Sequence, residues 1–421
     1  MPPTLTPQRE RYLLLTLSGM QFSHILDFMI MMPLGPILMH EFSISTHQFG
    51  FLVASYSFSA ALAGLLASTF VDRFERKRLL LTVFGLFGLA TLACGLSPSY
   101  AILLIARGLA GAFGGVVGAM VHTLVGDLIP FERRATASGV ISASFSLATV
   151  AGVPLSLWLA NHYSWPAPFL LIAATSALFL IIALRFLPDV RHHLAPSTGS
   201  GQAKRAHPFS AMFEVLSDAN HLRALLFTML ILFSGFTVIP YITVYAVSNV
   251  GISLHDIPYV YLAGGAATLI TSRLVGRWAD ARGKVKVYRI MAISAMLPLF
   301  AVTQIGHAPL WAWLTCTTFF FILVSGRMIP AMAIITSAAK SHLRGTFMSL
   351  NAAMQQLASG LAATLAGLIT TQNAAGQMVG YDKVGFVAMT ANILAILFVT
   401  RIVMHDQHKT LLKSPLDKGD G

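Results

Sequence analysis

The chain has 421 residues, 56% of them hydrophobic and only 10% charged, with a mean hydropathy of +0.72, which is too apolar for a soluble globular domain. A formal net charge of +12 invites a nucleic-acid reading until the basic residues are located. They gather on alternate connections between long apolar runs, as in a membrane protein whose basic loops stay on the cytoplasmic side.

Twelve apolar runs approach the roughly 20 residues needed to cross a bilayer. The first six are Tyr12 to Leu38, Phe49 to Val71, Leu79 to Leu96, Ala101 to Val125, Ala135 to Ala160 and Pro168 to Phe186. The second six are Leu222 to Val247, Ile257 to Trp278, Val287 to Ile305, Leu310 to Ser337, Thr346 to Thr371 and Val384 to Met404. Continuous runs of this length exclude a transmembrane β-barrel, whose strands alternate. The expected fold is an all-α polytopic membrane protein of twelve transmembrane helices. Arg73, Arg76, Lys77 and Arg78, then Arg133 and Arg134, Lys204 and Arg205, Arg282, Lys284 and Lys286, and Lys340 and Arg344 occupy every second connection. The intervening ones, around Glu41, Ser97, Asn161, Asp256 and His307, carry no Lys or Arg, and the last has only Lys383. Both termini are therefore expected in the cytoplasm of a bacterial cell, with the chain in its inner membrane. No small-residue cleavage site follows a short apolar core, so the first helix is expected to stay as an uncleaved anchor. Cys94 and Cys316 lie inside spans and imply no disulfide framework.

The first run carries the chain's most unusual residue. Asp27 sits near its middle, where a charge costs at least ~2.5 kcal/mol on insertion scales. On a helix His24 lies one turn before it and Met31 one turn after, so a titratable pair shares one narrow face. Asp27 alone of the 16 acidic residues is expected near mid-membrane. In the fourth run Arg107 lies ~10 Å below the outer end and Asp27 roughly 16 Å, at 1.5 Å per residue, a difference that a long side chain can largely bridge. Gly111, Gly114, Gly118 and His122 follow close to the Arg107 face, and the glycines permit close helix approach. In the fifth run Gly152 and Pro154 mark a kink, because Pro154 frees a backbone carbonyl.

Pro188 to His221 has no span-length apolar run and reads as a linker between two halves. The expected units are residues 1–187, a linker over 188–221 and residues 222–421. The linker ends in a short amphipathic helix with Phe209, Met212, Phe213 and Leu216 on one face, suited to the inner leaflet. In the second half Tyr241 and Tyr245 share a face of the seventh run, Arg327 lies deep in the tenth, and Gln355 and Gln356 lie inside the eleventh. With Met31 these are candidates to line a cavity for a small molecule of mixed apolar and hydrogen-bonding character. Arg327 can bind an anionic group or pair with a backbone carbonyl.

Two turns repeat. Ser68-Thr69-Phe70-Val71-Asp72-Arg73-Phe74-Glu75-Arg76-Lys77-Arg78 follows the second run, and Gly276-Arg277-Trp278-Ala279-Asp280-Ala281-Arg282-Gly283-Lys284 follows the eighth. Asp72 and Asp280 are separated by nearly the same interval as Arg134 and Arg344, about half the chain, which argues for a duplicated six-helix unit. This repeated turn resembles the signature of the major facilitator superfamily, although Ser68 and Glu75 replace glycines in the first copy. The resemblance covers essentially the whole chain and implies two pseudo-symmetric six-helix bundles rocking around a central site. Arg107-Gly108-Leu109-Ala110-Gly111 is similar to the R-x-x-Q-G motif of proton-coupled members, with Ala110 at the glutamine position. Ala148 to Leu155 resembles the antiporter motif, with Val153 between Gly152 and Pro154 as in the sugar-efflux branch. What the resemblance implies is a proton-coupled exporter of small organic molecules. Asp27, Arg107 and His24 would be its coupling site, and Asp72, Arg73, Arg76, Asp280 and Arg282 a cytoplasmic gate.

A proton-coupled importer or a uniporter on the same fold is the alternative, and a ligand sensor without flux is a third reading. No P-loop, zinc spacing or nucleophile elbow is present, so the chain does not read as an enzyme, and no cofactor, metal or nucleic acid is expected. The expected partners are a small-molecule substrate, protons and membrane lipid, with the chain a monomer.

Overall fold

Why the apolar runs become helices follows from the bilayer: only a helix satisfies its own backbone polar groups inside one segment. The computed structural model describes residues 6–70, 74–129, 131–188, 208–340 and 343–404. The helices α1 (Pro7–Ile30) and α2 (Gly35–Glu41) are followed by α3 (Thr46–Phe70), α4 (Arg76–Gly95) and α5 (Tyr100–Leu128). Next come α6 (Phe131–Leu147), α7 (Val153–His162) and α8 (Ala167–Phe186). The linker residues 189–207 lie outside the described residues, and α9 (Pro208–Ser217) follows them. The second set is α10 (Ala219–Phe236), α11 (Ile242–Tyr245), α12 (Ile257–Arg282), α13 (Lys284–Gln304), α14 (Leu310–Gly326), α15 (Met328–Ala338), α16 (Arg344–Ile369) and α17 (Tyr381–Phe398). A two-stranded antiparallel hairpin, β1 (Thr371–Gln372) and β2 (Met378–Val379), joins the last two.

Among the described residues, eleven helical segments are long and apolar enough to cross a membrane. The eighth expected span is present as the 26-residue α12, whose Pro, Tyr, Gly, Thr and Arg residues leave it less apolar than the other eleven. Several expected continuous spans are broken. The first was expected to run unbroken from Tyr12 to Leu38; the structure ends α1 at Ile30, turns through Met31 to Leu34, and restarts with α2, because Pro33 and Pro36 supply no N–H to a continuing helix. The fifth carries a π-helical turn, Ala148–Gly152, in which the Val153 N–H reaches back to the Ala148 carbonyl just before Pro154. The seventh passes through a 3-10 turn at Pro240, and the tenth breaks at Arg327 between α14 and α15.

The packing differs between the two ends of the bundle. At the end that carries the turn after α1 and the β hairpin, the distal end, one hydrophobic core spans both halves: Leu26, Met31, Leu38, Phe49 and Leu52 pack with Tyr241, Val244, Trp313, Ala363 and Tyr381. Toward the end where α1 begins and α9 lies, the terminal end, the cores are separate. One holds first-half residues such as Leu17, Phe84 and Val121, another holds second-half residues such as Phe227, Tyr288 and Phe347, and a small third one joins Val275 and Ala279 of α12 to Val287 and Met291 of α13.

Cross-half hydrogen bonds also sit at the distal end. The Tyr241 hydroxyl donates to the Thr46 carbonyl of the first half (3.0 Å), and is 3.3 Å from the Ala363 carbonyl of its own half, while Thr46 Oγ1 donates to the Thr370 carbonyl at 2.5 Å. Asn161 Nδ2 donates to the Leu254 carbonyl at 2.9 Å. Close approach there requires glycine, since a Cβ on Gly50 would stand 2.8 Å from the Ala363 carbonyl oxygen. At the terminal end α9 buries Val215 fully and packs Met212 on the second-half core, while Phe213 and Leu216 remain 70% and 41% exposed.

Candidate functional site

The site is built where α1, α3, α4 and α5 meet. Asp27 of α1 has no exposed surface and Arg107 of α5 is 1% exposed. Arg107 Nη1 donates to Asp27 Oδ2 at 2.8 Å and to the Asp27 carbonyl at 3.1 Å. Its guanidinium carbon lies 4.6 Å from the centroid of the Tyr56 ring. Either charge alone at this depth would be costly; paired, each offsets the other's desolvation.

The pair is not fully satisfied. Asp27 Oδ1, Arg107 Nε, the Tyr56 hydroxyl and His24 Nδ1 are buried without a hydrogen-bond partner among the described residues. Thr91 of α4 faces the carboxylate without closing a hydrogen bond of proper geometry. Most buried polar atoms in folded proteins are paired, so this concentration sets the spot apart. Chemically, the guanidinium favours the ionised form of this carboxyl, while burial favours its neutral form.

The glycines of α5 shape the space beside the pair. A Cβ on Gly114 would stand 2.4 Å from the Tyr56 hydroxyl and 2.8 Å from His24 Cδ2, and one on Gly118 would lie 3.7 Å from His24 Nε2. His24, 8% exposed, therefore lies in a groove that two missing side chains create. The sequence placed Asp27, Arg107 and His24 near one another, and the structure brings these three together. It adds Tyr56 and Thr91, whose only sequence signal is a polar group inside an apolar run.

The candidate cavity residues are dispersed. Met31 is buried in the shared distal core, Tyr241 is engaged in the cross-half bonds described above, and Tyr245 donates to the Ile305 carbonyl at 2.8 Å while packing against Tyr381. Gln355 and Gln356 are half-buried in α16. Arg327 is fully buried at the α14–α15 break and donates to Asn392 Oδ1, to Ser234 Oγ (3.2 Å) and to the Ile231 carbonyl (3.3 Å). No carboxylate pairs with it among the described residues, so three neutral oxygens from α10 and α17 carry the charge. Asn392, which in turn donates to the Ala292 carbonyl at 2.7 Å, was missed because a lone amide in a span carries no periodicity.

Of the expected gate, Asp72 and Arg73 lie outside the described residues. Arg76 is 6% exposed and binds Asp127 of α5 at 3.2 Å, a partner in its own half rather than across the halves. Asp280 and Arg282 are exposed, and neither forms an ion pair among the described residues. Glu75, at a glycine position of the motif, caps α4 by accepting the N–H groups of Lys77 and Arg78, both at 3.2 Å. Gly152 is buried against Leu26 and Phe22 of α1, so the π turn before Pro154 packs directly on the helix that carries Asp27.

Comparison with known proteins agrees with this architecture. Two solved structures share the fold: the D-xylose-proton symporter, with a TM-score of 0.74 at 17% identity over 95% of this chain and 99% of that one, and a bacterial homologue of the human lysosomal transporter Spinster in an inward-facing, occupied conformation, with a TM-score of 0.73 at 14% identity over 95% and 98%. Among curated proteins, the uncharacterized MFS-type transporter YceJ of Bacillus subtilis (strain 168) is 23% identical over 86% of this chain and 90% of its own length. A probable sugar efflux transporter of Mannheimia succiniciproducens is 25% identical over 70% of each chain. Multidrug resistance protein Stp of Mycobacterium tuberculosis is 31% identical over 43% of this chain and 34% of its own. The family profile described as Major Facilitator Superfamily matches residues 17–363. With a helix bundle of this topology, a buried acid–arginine pair and a match over most of its length, the chain belongs to the Major Facilitator Superfamily and is a secondary active transporter, not an enzyme.

Proposed function

We propose that this transporter exports small organic molecules in exchange for protons, by alternating access between two rigid units, residues 1–187 and 222–421, joined by 188–221. The observation that carries the reading is the buried Asp27–Arg107 pair, because a carrier that ran downhill has no use for a titratable acid held inside the membrane. The likeness to sugar efflux and multidrug resistance proteins supports efflux as the direction and small organic molecules as the class of cargo.

The basic residues on alternate connections support a cytoplasmic terminal end in the inner membrane of a bacterium. The shared distal core then seals the outside, and the separate first-half and second-half cores at the terminal end leave that end the one able to part toward the cytoplasm. In the opposite state Asp72, Arg73, Arg76, Asp280 and Arg282 close the cytoplasmic end. Met31, Tyr241, Tyr245, Gln355 and Gln356 move into the walls of the central passage when the distal core parts, while Arg327 stays a fixed charge at the hinge of α14 and α15. The carrier works as a monomer.

The test is transport by purified protein in liposomes under an imposed pH difference, with a radiolabelled pentose and a fluorescent lipophilic cation as probes. Wild type is expected to concentrate at least one probe against its gradient, and Asp27→Asn to lose this while retaining exchange. Accumulation by Asp27→Asn driven by the pH difference alone would move the coupling site elsewhere, and wild-type flux indifferent to pH would make the protein a uniporter.

A further inference from the structure

Asp27 has no exposed surface, so a proton needs a route through the protein to reach its carboxyl. We propose that His122, His24 and the Tyr56 hydroxyl form a proton path from the exposed stretch of α5 around His122 to Asp27, running along the groove left by Gly118 and Gly114. The inference rests on Asp27 being the proton site.

The path is read from α5. His122 is exposed, and a turn farther on a Cβ at Gly126 would meet nothing within 4 Å, so this part of α5 borders open space. One turn deeper is Gly118, beside His24 Nε2; another turn deeper is Gly114, beside both His24 Cδ2 and the Tyr56 hydroxyl. Asp27 is one turn along α1 from His24, and His24 Nδ1, the Tyr56 hydroxyl and Asp27 Oδ1 are among the deep-end atoms without a hydrogen-bond partner among the described residues. The titratable and charged groups around the His24–Asp27 stretch of α1 are Tyr56 on α3, Cys94 on α4, and Arg107 and His122 on α5.

The transfer balances without a further reactant. His122 takes a proton from solution and passes it to Nε2 of a neutral His24 whose Nδ1 bears the hydrogen. The Nδ1 proton leaves by way of the Tyr56 hydroxyl, or a bridging water, to Asp27 Oδ1. The carboxylate becomes a neutral acid, Arg107 keeps its charge, and tautomer exchange resets His24. An imidazole suits the task because it both accepts and donates near neutral pH. Glycine at 114 and 118 is then a requirement of the path, since a side chain at 114 would displace both the ring and the hydroxyl.

The experiment is time-resolved infrared spectroscopy of the purified full chain after flash release of a caged proton. The Asp27 carboxylic C=O band is identified by its loss in Asp27→Asn. His24→Gln and His24→Gly are expected to reach the same final band but about a hundredfold more slowly, the size of a typical acid–base contribution. His122→Asn, at an exposed position that folding tolerates, is expected to slow it to a lesser degree. Imidazole added to the buffer is expected to restore the rate in His24→Gly, which a purely structural role of the ring would not allow. Wild-type rates in both histidine variants, or a slow His24→Gly that imidazole does not rescue, overturn the path. Absence of any band lost in Asp27→Asn instead overturns Asp27 as the proton site, and the path with it.

Discussion

Replacing Asp27 by Asn leaves the Arg107 guanidinium in place at 1% exposure with its carboxylate gone. Two charges about 4 Å apart attract by roughly 4 kcal/mol at an effective dielectric constant of 20. Removing one partner of a buried pair typically costs about 3 to 5 kcal/mol, because the other charge stays buried without compensation. Here the low end is expected, since the amide oxygen still accepts, the Asp27 carbonyl remains at 3.1 Å and the Tyr56 ring at 4.6 Å. At ~2.1 cal/mol/K per residue, ~3 kcal/mol lowers the Tm of a 421-residue chain by about 3 °C. The neutral double variant Asp27→Asn with Arg107→Gln removes both charges and should regain most of the loss, with a coupling of about 2 kcal/mol or more. Acidification is expected to relieve Arg107→Gln, whose remaining carboxyl can take up a proton, and to do nothing for Asp27→Asn. The assay is thermal unfolding in detergent of wild type, both single variants and the double, at neutral and mildly acidic pH. Simple additivity of the two single losses would refute the claim that the pair is energetically coupled.

Two further outcomes follow from contacts elsewhere. Tyr241→Phe removes the hydroxyl that ties the distal ends of the two halves through Thr46, worth about 1 kcal/mol net. It should shift the balance about fivefold toward a form open at the distal end, read from distances between spin labels on α3 and α16; an unchanged distribution removes Tyr241 from the closure. Asp218 caps α10 by accepting the N–H groups of Asn220 (2.8 Å) and His221 (3.0 Å), and Lys340 Nζ lies 2.7 Å away. Burial opposes its ionisation, but the ammonium and the two N–H groups outweigh it and hold the carboxyl down at about 2, against an ordinary 3.8. A depressed carboxyl stabilises the fold fully above pH 3.8, and that contribution disappears as pH falls through about 2. Asp218→Ala should cost about 1 kcal/mol at neutral pH and blunt this acid dependence; equal acid sensitivity in the variant contradicts the assignment.

Apolar runs, their number and the alternation of basic connections were legible in the sequence because the bilayer makes each span satisfy its backbone alone, so the signal is local. Asp27 and Arg107 were legible for the same reason: a charge inside such a run has so few tolerable positions that helix rise nearly sets its partner. Tertiary structure alone decided the rest. That Arg76 meets Asp127 inside one half, that Arg327 is held by Asn392 and Ser234, and that the Tyr241 hydroxyl reaches Thr46 of the other half all depend on how each helix is rotated against its neighbours. Lipid is as apolar as a leucine side chain, so hydrophobicity barely distinguishes the face of a membrane helix that meets protein from the face that meets lipid. The choice falls to small residues and single polar contacts such as Gly114 against Tyr56, which have no partner until the other helix is in place.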